Sequence, residues 1–212
     1  MTWMLTATGA QFDLHLATPE SISILDIAAA LAKINRFGGH TSRLYSVAEH
    51  SLHVSSVMER ELGIGSPWAL LAGLLHDAHE AYTGDLPSPV KAALNARTDG
   101  GWRKFEDRIA AQVRGRFGLL AASAGWRGSV HQADLMMLAT ERAQLMPPIG
   151  PDWPVLAGVP CSGELYLEDY GGMDWDDWRD AFLERFVELR ESCRLAHGSP
   201  GLPPQQHEAG HA

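Results

Sequence analysis

The segment of residues 74–91, LLHDAHEAYTGDLPSPVK, brings an imidazole and two carboxyl groups to the end of an apolar run. His76 and Asp77 follow that run directly, and Glu80 comes one helical turn later. Burying such polar groups without partners costs about 2–7 kcal/mol each. A divalent metal ion satisfies imidazole nitrogens and carboxylate oxygens together. The segment is therefore predicted to supply half of a metal site.

Two residues elsewhere in the chain have the types needed to complete that site. His50 lies on the apolar stripe of a predicted helix, and Asp134 lies within the apolar run of residues 133–138. With His76 and Asp77 they would offer nitrogen and oxygen ligands suited to Zn²⁺, Mn²⁺, Co²⁺ or Fe²⁺. We therefore predict one metal site formed by these four residues. The alternative is that both histidines are hydrogen-bonded core residues and that Asp134 faces solvent.

Length, composition and charge narrow the class of protein. The chain has 212 residues, of which 45% are hydrophobic and 20% charged, as in a globular protein with a substantial core. Its formal net charge of −9 argues against binding of a nucleic-acid polymer, which requires a basic face. Neither a signal peptide nor a membrane span is recognisable, and two cysteines are too few for a disulfide framework. We expect a soluble, cytoplasmic protein with reduced thiols.

Hydrophobic periodicity predicts an all-α fold, preceded by a short β-hairpin or extended arm within residues 2–14. The predicted helices span residues 23–34, 46–62, 66–82, 102 to about 115, 130–146 and 175–195. Prolines and glycines concentrate in residues 147–172, which we predict to be an ordered surface loop. Residues 1–197 are expected to form a single domain, and the polar residues 198–212 a disordered tail.

Capping and breaking residues set the predicted helix boundaries. Ser23 is a candidate N-cap, and the segments Ser46–Glu49 and Ser129–Gln132 are candidate capping boxes. Pro87 and Pro89 are expected to exclude a helix immediately after residue 84.

The four predicted ligands also carry a resemblance to a known family. His50, then His76-Asp77, then Asp134 resembles the H…HD…D signature of the HD-domain metal-dependent phosphohydrolases. Longer segments resemble the bacterial 5′-deoxynucleotidase branch and its phage relatives, which include dATP triphosphohydrolases: INRF at 34–37, SVAEHSLHV at 46–54, LLHDAHEAYTGDLPSPVK at 74–91 and ADLMMLATE at 133–141. The opening TWMLTATGAQFD is more similar to the phage-type group. The resemblance covers about residues 2–146 and implies an HD-domain helical bundle.

The resemblance implies roles for the residues of the predicted site. His50, His76, Asp77 and Asp134 would hold the metal, Asp77 would also belong to the catalytic centre, and Glu80 would be the catalytic glutamate. Glu80 lies three residues after Asp77 and four after His76, so a continuous helix would place all three on one face. The alternative for Glu80 is an ordinary solvated helix residue.

Substrate contacts are implied in the same way. Arg36 matches the family's arginine at the nucleotide phosphate, Lys91 would add a second cation, and Asp85 matches an aspartate at the sugar. The alternatives are a surface arginine at a helix end and an aspartate that caps a turn. Phe37 stands where the deoxynucleotidase branch has a tryptophan thought to crowd a ribose 2′-hydroxyl. An aromatic platform remains, but exclusion of ribonucleotides is less firmly implied.

Two further residues of the same helices are assigned other roles. Glu141 lies seven residues after Asp134, on the same helix face, and we expect it to pair with an arginine in the bundle rather than to bind metal. His79 is expected to face away from the metal ligands.

The function implied by the resemblance is hydrolysis of the 5′-phosphate ester of 2′-deoxynucleotides. A dNMP would give deoxynucleoside and phosphate, and a dNTP, with dATP the preferred candidate, would give deoxynucleoside and triphosphate. The expected cofactor is Zn²⁺, Co²⁺ or Mn²⁺, with Mg²⁺ as an alternative, and a homo-oligomer, dimeric or larger, is expected. The alternative functions are a cyclic-nucleotide phosphodiesterase on the same scaffold and a non-catalytic nucleotide-binding domain.

Overall fold

Helices dominate the computed structural model, which describes residues 2–196 of the chain. Within this range nine α-helices follow one short hairpin, as the all-α prediction requires. The helices are α1 (Ile24–Leu31), α2 (Val47–Arg60), α3 (Pro67–Leu74), α4 (Glu80–Thr83), α5 (Ser88–Thr98), α6 (Gly101–Phe117), α7 (Leu120–Gly125), α8 (Arg127–Gln144) and α9 (Trp175–Leu195). The tail predicted at residues 198–212 lies outside the described residues.

The N-terminal hairpin is confirmed. Strands β1 (Trp3–Leu5) and β2 (Gln11–Asp13) pair antiparallel, with Met4 opposite Phe12. Phe12 is buried and stacks on Tyr82, with ring centroids 4.1 Å apart. The hairpin therefore packs against the segment that follows the predicted metal ligands.

Helix α2 is the central element of the bundle, because it packs against α3, α8 and α9. The Ser46 side chain accepts a hydrogen bond from the Glu49 amide at 3.1 Å, so the predicted N-cap is present. The reciprocal half of the capping box is absent, because the Glu49 carboxylate instead accepts two bonds from Arg43, at 2.6 and 3.0 Å. This buried pair anchors the loop that precedes α2.

The single helix predicted over residues 66–82 is wrong. Helix α3 ends at Leu74, and Leu75 leaves helical geometry at φ −102° and ψ 13°. The His76 Nδ1–H donates to the Gly73 carbonyl at 2.7 Å, and that carbonyl is the one the Asp77 amide would use in a continuous helix. The chain becomes helical again only at Glu80, so the position of Glu80 does not follow from helical spacing.

Residues 84–87 are non-helical, as Pro87 and Pro89 predicted, but helix α5, which was not predicted, begins at Ser88. A proline in the first turn of a helix removes no hydrogen bond there. The predicted start of α8 is wrong. Helix α8 begins at Arg127 rather than Val130, with Trp126 at the N-cap position and no side-chain cap. Ser129 consequently lies inside the first turn and does not form the predicted capping box.

The remaining chain covers the bundle as expected. Residues 147–172 form a largely irregular loop with short 3₁₀ turns at Pro154–Leu156 and Leu167–Tyr170. Helix α9 occupies the predicted range and buries Trp178, Phe182 and Leu189 against α1 and α3. Across residues 2–196 no helix is both long and apolar enough to cross a bilayer.

Candidate metal centre

The predicted ligands come from three separate elements and meet at one point. His50 lies on α2, His76 and Asp77 lie in the turn after α3, and Asp134 lies on α8. His50 Nε2 is 3.2 Å from Asp134 Oδ1, and His76 Nε2 is 3.1 Å from Asp77 Oδ2. The crossed distances, from His50 Nε2 to Asp77 Oδ2 and from His76 Nε2 to Asp134 Oδ1, are 3.8 and 3.9 Å. Two imidazoles and two carboxylates thus face one another.

The outer nitrogen of each imidazole is already occupied. His50 Nδ1–H donates to Glu141 Oε1 at 2.6 Å, and His76 Nδ1–H donates to the Gly73 carbonyl oxygen at 2.7 Å. Both Nε2 atoms are buried and make no well-oriented hydrogen bond with the described residues. Second hydrogen bonds of this kind fix the tautomer and the ring orientation of metal-binding histidines. The donor set therefore fits a divalent ion held by His50, His76 and Asp77, with Asp134 adjacent.

A glycine leaves room for a side chain of α2 beside the turn that carries His76. A Cβ atom at Gly73 would lie 2.4 Å from Met58 Sδ on α2, closer than atoms can pack, although it would lie 3.8 Å from the Ser55 Cα. The Met58 side chain thus occupies the space that a side chain at Gly73 would need, and the ring centroids of His50 and His76 are 5.3 Å apart. Sequence reasoning did not identify Gly73, because the contact depends on a residue far away in the chain.

The carboxylates of this site favour protons on the two histidines. Burial lowers the pKa of His76, but Asp77 and Asp134 raise it more, to about 9. Burial raises the pKa of Asp77, yet the His76 and His50 imidazoles hold it well below its usual range. The carboxylates of this site therefore attract positive charge, and a metal cation would take the place of those protons.

Arg36 and Glu141 form a buried pair beside the ligands. Glu141 Oε2 accepts a hydrogen bond from Arg36 Nη2 at 3.0 Å, which confirms the expectation that Glu141 pairs with an arginine. Arg36 Nη1 lies 3.8 Å from Asp77 Oδ2, while the Nε of Arg36 is buried without a hydrogen-bond partner among the described residues. Arg36 is thus a buried cation within reach of the metal ligands, not the surface arginine of the alternative interpretation.

Glu80 belongs to a second polar cluster next to the first. Its side chain is 2% exposed, and its Oε1 accepts a hydrogen bond from Lys91 Nζ at 3.0 Å. Lys91 Nζ also lies 3.0 Å from Glu106 Oε1, and His79 completes the cluster. Lys91 is therefore held between two carboxylates, and contact with a phosphate would require one of these ion pairs to break. Glu106 was missed because it stands among charged residues of α6, next to Asp107 and Arg108, and so looks solvated in sequence.

Burial has the largest effect on the pKa of Glu80. Desolvation raises the pKa of the Glu80 carboxyl well above its usual value, and Asp77 and Asp85 raise it further, while Lys91 opposes both. The second carboxylate oxygen of Glu80, Oε2, is buried and has no hydrogen-bond partner among the described residues. Strongly shifted carboxyl groups with a free oxygen are typical of proton-transfer sites.

An aromatic pair lies beside Arg36. Phe37 adopts left-handed backbone geometry, with φ 56° and ψ 23°, a conformation that costs a bulky residue about 1–3 kcal/mol. Its ring centroid is 6.0 Å from that of Trp153, which sequence reasoning did not single out, and 5.3 Å from the Arg36 guanidinium carbon. Asp85 is partly buried, and burial raises its pKa while Arg36 lowers it. Phe37 and Asp85 thus both lie in the surroundings of Arg36.

Sequence comparison with known proteins places the chain in a family. No family model matches the sequence. The chain is 36% identical over 202 residues to the uncharacterized protein YfdR of Escherichia coli K12, covering 92% of this chain and 100% of that protein. The chain belongs to the YfdR family. It is also 41% identical over 147 residues to the uncharacterized protein RCAP_rcc00048 of Rhodobacter capsulatus, covering 68% of this chain and 72% of that protein.

This YfdR family member also has a cavity directly behind the metal centre. The cavity has a volume of about 240 Å³ and is bounded by α3, α6, α7 and α8. His76 and Asp134 reach it from the metal centre, and His79 lines it as well, although we expected His79 to face away from the ligands. The cavity therefore gives access to His76 and Asp134.

Proposed function

We propose that the chain is an HD-domain metal-dependent phosphohydrolase that cleaves the 5′-phosphate ester of 2′-deoxynucleotides. The observation that carries the proposal is the convergence of His50 Nε2 and His76 Nε2 on Asp77 and Asp134 while both Nδ1 atoms are hydrogen-bonded elsewhere. A core histidine that serves only packing does not need its free nitrogen aimed at two carboxylates. The resemblance of the same residues to the HD signature supports the same conclusion.

The donor set suits Zn²⁺, Co²⁺ or Mn²⁺, with Mg²⁺ as a weaker alternative because it prefers oxygen ligands. When bound, such an ion supplies Lewis acidity, which lowers the pKa of water and neutralises phosphate charge. The protein contributes fixed ligands, because each imidazole is oriented by its second hydrogen bond. These hydrogen bonds favour the ring orientations in which both Nε2 atoms face the carboxylates.

Hydrolysis requires one bond to form and one to break at the α-phosphorus. The oxygen of a water molecule bonds to phosphorus, the P–O5′ bond breaks, and the 5′-oxygen takes up a proton to become the sugar hydroxyl. Glu80 is suited to the proton transfer, because its carboxyl is buried, has a raised pKa and keeps Oε2 free. Arg36 is suited to the phosphate, because its buried Nε–H has no partner among the described residues and can donate to a phosphate oxygen.

The nucleoside is proposed to lie on the Arg36 side of the metal centre. Phe37 and Trp153 offer aromatic faces for a sugar or a base, and the Asp85 carboxylate can accept a hydrogen bond from a sugar hydroxyl. The similarity of residues 2–13 to the phage-type group makes deoxyadenylates, dATP above all, the preferred substrates.

A product assay tests the proposal. Purified full-length protein is incubated with Mn²⁺, Co²⁺ or Zn²⁺ and each dNMP, dNTP, rNTP and 3′,5′-cyclic nucleotide. Phosphate, triphosphate and the nucleoside monophosphate formed from the cyclic nucleotides are quantified separately. We expect the wild-type protein to hydrolyse deoxynucleotides. His76→Ala and Asp77→Asn should each abolish both this activity and metal binding. Asp107→Asn is the matched control, because Asp107 is an exposed carboxylate on α6. This variant should keep both the activity and the bound metal. Full activity in a metal-free variant, or release of product only from cyclic nucleotides, would overturn the proposal.

A further inference from the structure

The cavity behind the metal centre has the chemistry of an anion site. We propose that it holds the β- and γ-phosphates of a deoxynucleoside triphosphate, so that the triphosphate rather than the monophosphate is the preferred substrate. This inference rests on the proposed function and assigns residues to it. Its specificity-determining side chains are Arg114, Arg127 and His131.

Positive charge in this cavity is not neutralised by the protein. Arg114 and Arg127 line the cavity and have no ion pair or hydrogen bond from their side chains to any residue in the range 2–196. Asp134 is the one carboxylate among the lining residues, and it belongs to the metal centre. Two unpaired guanidinium groups beside a histidine are a notable local excess in a chain whose net charge is −9.

Two other arginines near the site, Arg36 and Arg43, do have ion-pair partners. Arg36 is paired with Glu141, and Arg43 is paired with Glu49 through two hydrogen bonds. Their guanidinium groups have structural partners and orient neighbouring elements. Arg114 and Arg127 have no such task in the described structure, which leaves their fork-like donors free for phosphate oxygens.

The cavity adjoins the candidate metal ligands but does not include the residues proposed to contact the nucleoside. His76 and Asp134 belong both to the metal centre and to the cavity lining, whereas Arg36, Phe37 and Asp85 do not line the cavity. An α-phosphate at the metal centre would thus have the proposed nucleoside side in one direction and the cavity in another. The volume of about 240 Å³ equals that of about eight water molecules, enough space for further phosphate groups.

The walls of the cavity strengthen the attraction between cation and anion. Apolar side chains form much of its lining, among them Leu75, Val113 and Val130. Arg114 is half-buried, so that reduced screening strengthens its attraction for a phosphate, whereas Arg127 and His131 are exposed. A nucleobase would use the apolar walls but would leave both arginines unpaired.

The experiment compares the wild-type protein with Arg114→Gln, Arg127→Gln and the double variant, and Arg97→Gln is the control. Arg97 is an exposed arginine on α5 outside the cavity, and its substitution removes the same charge. Two quantities are measured: the ratio of kcat/KM for dATP to that for dAMP, and the affinity for inorganic tripolyphosphate compared with orthophosphate by calorimetry. Thermal melting verifies that each variant is folded.

We expect the wild type to prefer dATP and each arginine substitution to lower the dATP-to-dAMP ratio about ten- to hundredfold. Tripolyphosphate affinity should fall in parallel, and Arg97→Gln should change neither quantity. Equal losses for dATP and dAMP, a wild type that hydrolyses only dAMP, or unchanged tripolyphosphate affinity would overturn the inference. If the wild type hydrolyses no nucleotide, the proposed function fails, and tripolyphosphate binding then decides by itself whether the cavity is an anion site.

Discussion

Glu141 Oε1 accepts a hydrogen bond of 2.6 Å from His50 Nδ1, and both side chains are fully buried. The other oxygen of the same carboxylate accepts from Arg36 Nη2 at 3.0 Å. A single glutamate on α8 therefore orients a candidate metal ligand on α2 and a candidate phosphate ligand before α2. The carboxylate stays ionised, because Arg36 and His50 together lower its pKa against the opposing effect of burial.

Removing Glu141 should be strongly destabilising. Glu141→Ala leaves the Arg36 guanidinium buried beside an unsatisfied His50 nitrogen, and loss of one partner of a buried ion pair costs about 3–5 kcal/mol. Urea unfolding in the presence of a chelator measures this cost without a contribution from metal. Glu141→Gln should cost less, because its amide oxygen can still accept from His50. Glu184→Ala, at an exposed position on α9, should change stability by no more than about 0.5 kcal/mol.

The close approach of α3 to α2 should depend on the missing side chain of Gly73. Gly73→Ala places a methyl group against Met58 Sδ, and overpacking of this kind costs about 1–3 kcal/mol. In Gly73→Ala/Met58→Ala the clash is gone, so the double variant should be more stable than the sum of the single effects predicts. Gly128→Ala is the comparison, because that helical glycine has open space around it, and the change should stabilise by about 0.5–1 kcal/mol. If the stability changes of Gly73→Ala and Met58→Ala simply add in the double variant, the contact between these two positions is contradicted.

Metal binding should stabilise the folded protein. An ion that binds only the native state at a concentration 100 times its Kd adds about 2.7 kcal/mol, and the melting temperature should rise with Mn²⁺ or Co²⁺ concentration. Asp77→Asn should abolish most of this dependence, whereas Asp107→Asn should retain it. A melting temperature that rises equally in both variants would show that the ion binds elsewhere.

The ion pair between Lys91 and Glu80 should set the pH dependence of activity. Lys91 lowers the pKa of the buried Glu80 carboxyl, so Lys91→Met removes that effect and the pKa rises further. If ionised Glu80 accepts the proton, the ascending limb of the pH–rate profile should move to higher pH by about one unit or more. Lys91→Arg retains the charge and should leave the limb close to its original position. A shift towards lower pH in Lys91→Met would contradict this role.

The two cysteines should differ in reactivity. Cys161 is exposed, whereas Cys193 on α9 is 4% exposed, and burial raises the pKa of its thiol to about 11. Since the thiolate is the reacting species, Cys193 should react slowly at pH 8. Titration with a thiol reagent should therefore give one rapid equivalent in the native protein and two in denaturant. Two rapid equivalents without denaturant would show that α9 opens readily.

Local patterns in the sequence were sufficient for much of the fold. The hairpin, the Ser46 cap of α2 and the range of α9 all depend on residues close together in the chain, and all three agree with the structure. Helical periodicity also identified His50 and Asp134 as polar residues on inward faces, and the structure brings both to the His76–Asp77 turn. These features were predictable because side-chain spacing on a helix is fixed by its geometry.

Tertiary structure decided the features that depend on distant contacts. At the end of α3, the His76 side chain bonds to the Gly73 carbonyl and competes with the helix ladder, and a side chain at Gly73 would meet Met58 on another helix. The pairing of Lys91 with both Glu80 and Glu106, and the cavity that collects Arg114 and Arg127, join residues from separate helices. Sequence by itself determined which side chains face inward; only packing of the helices determined which of them meet.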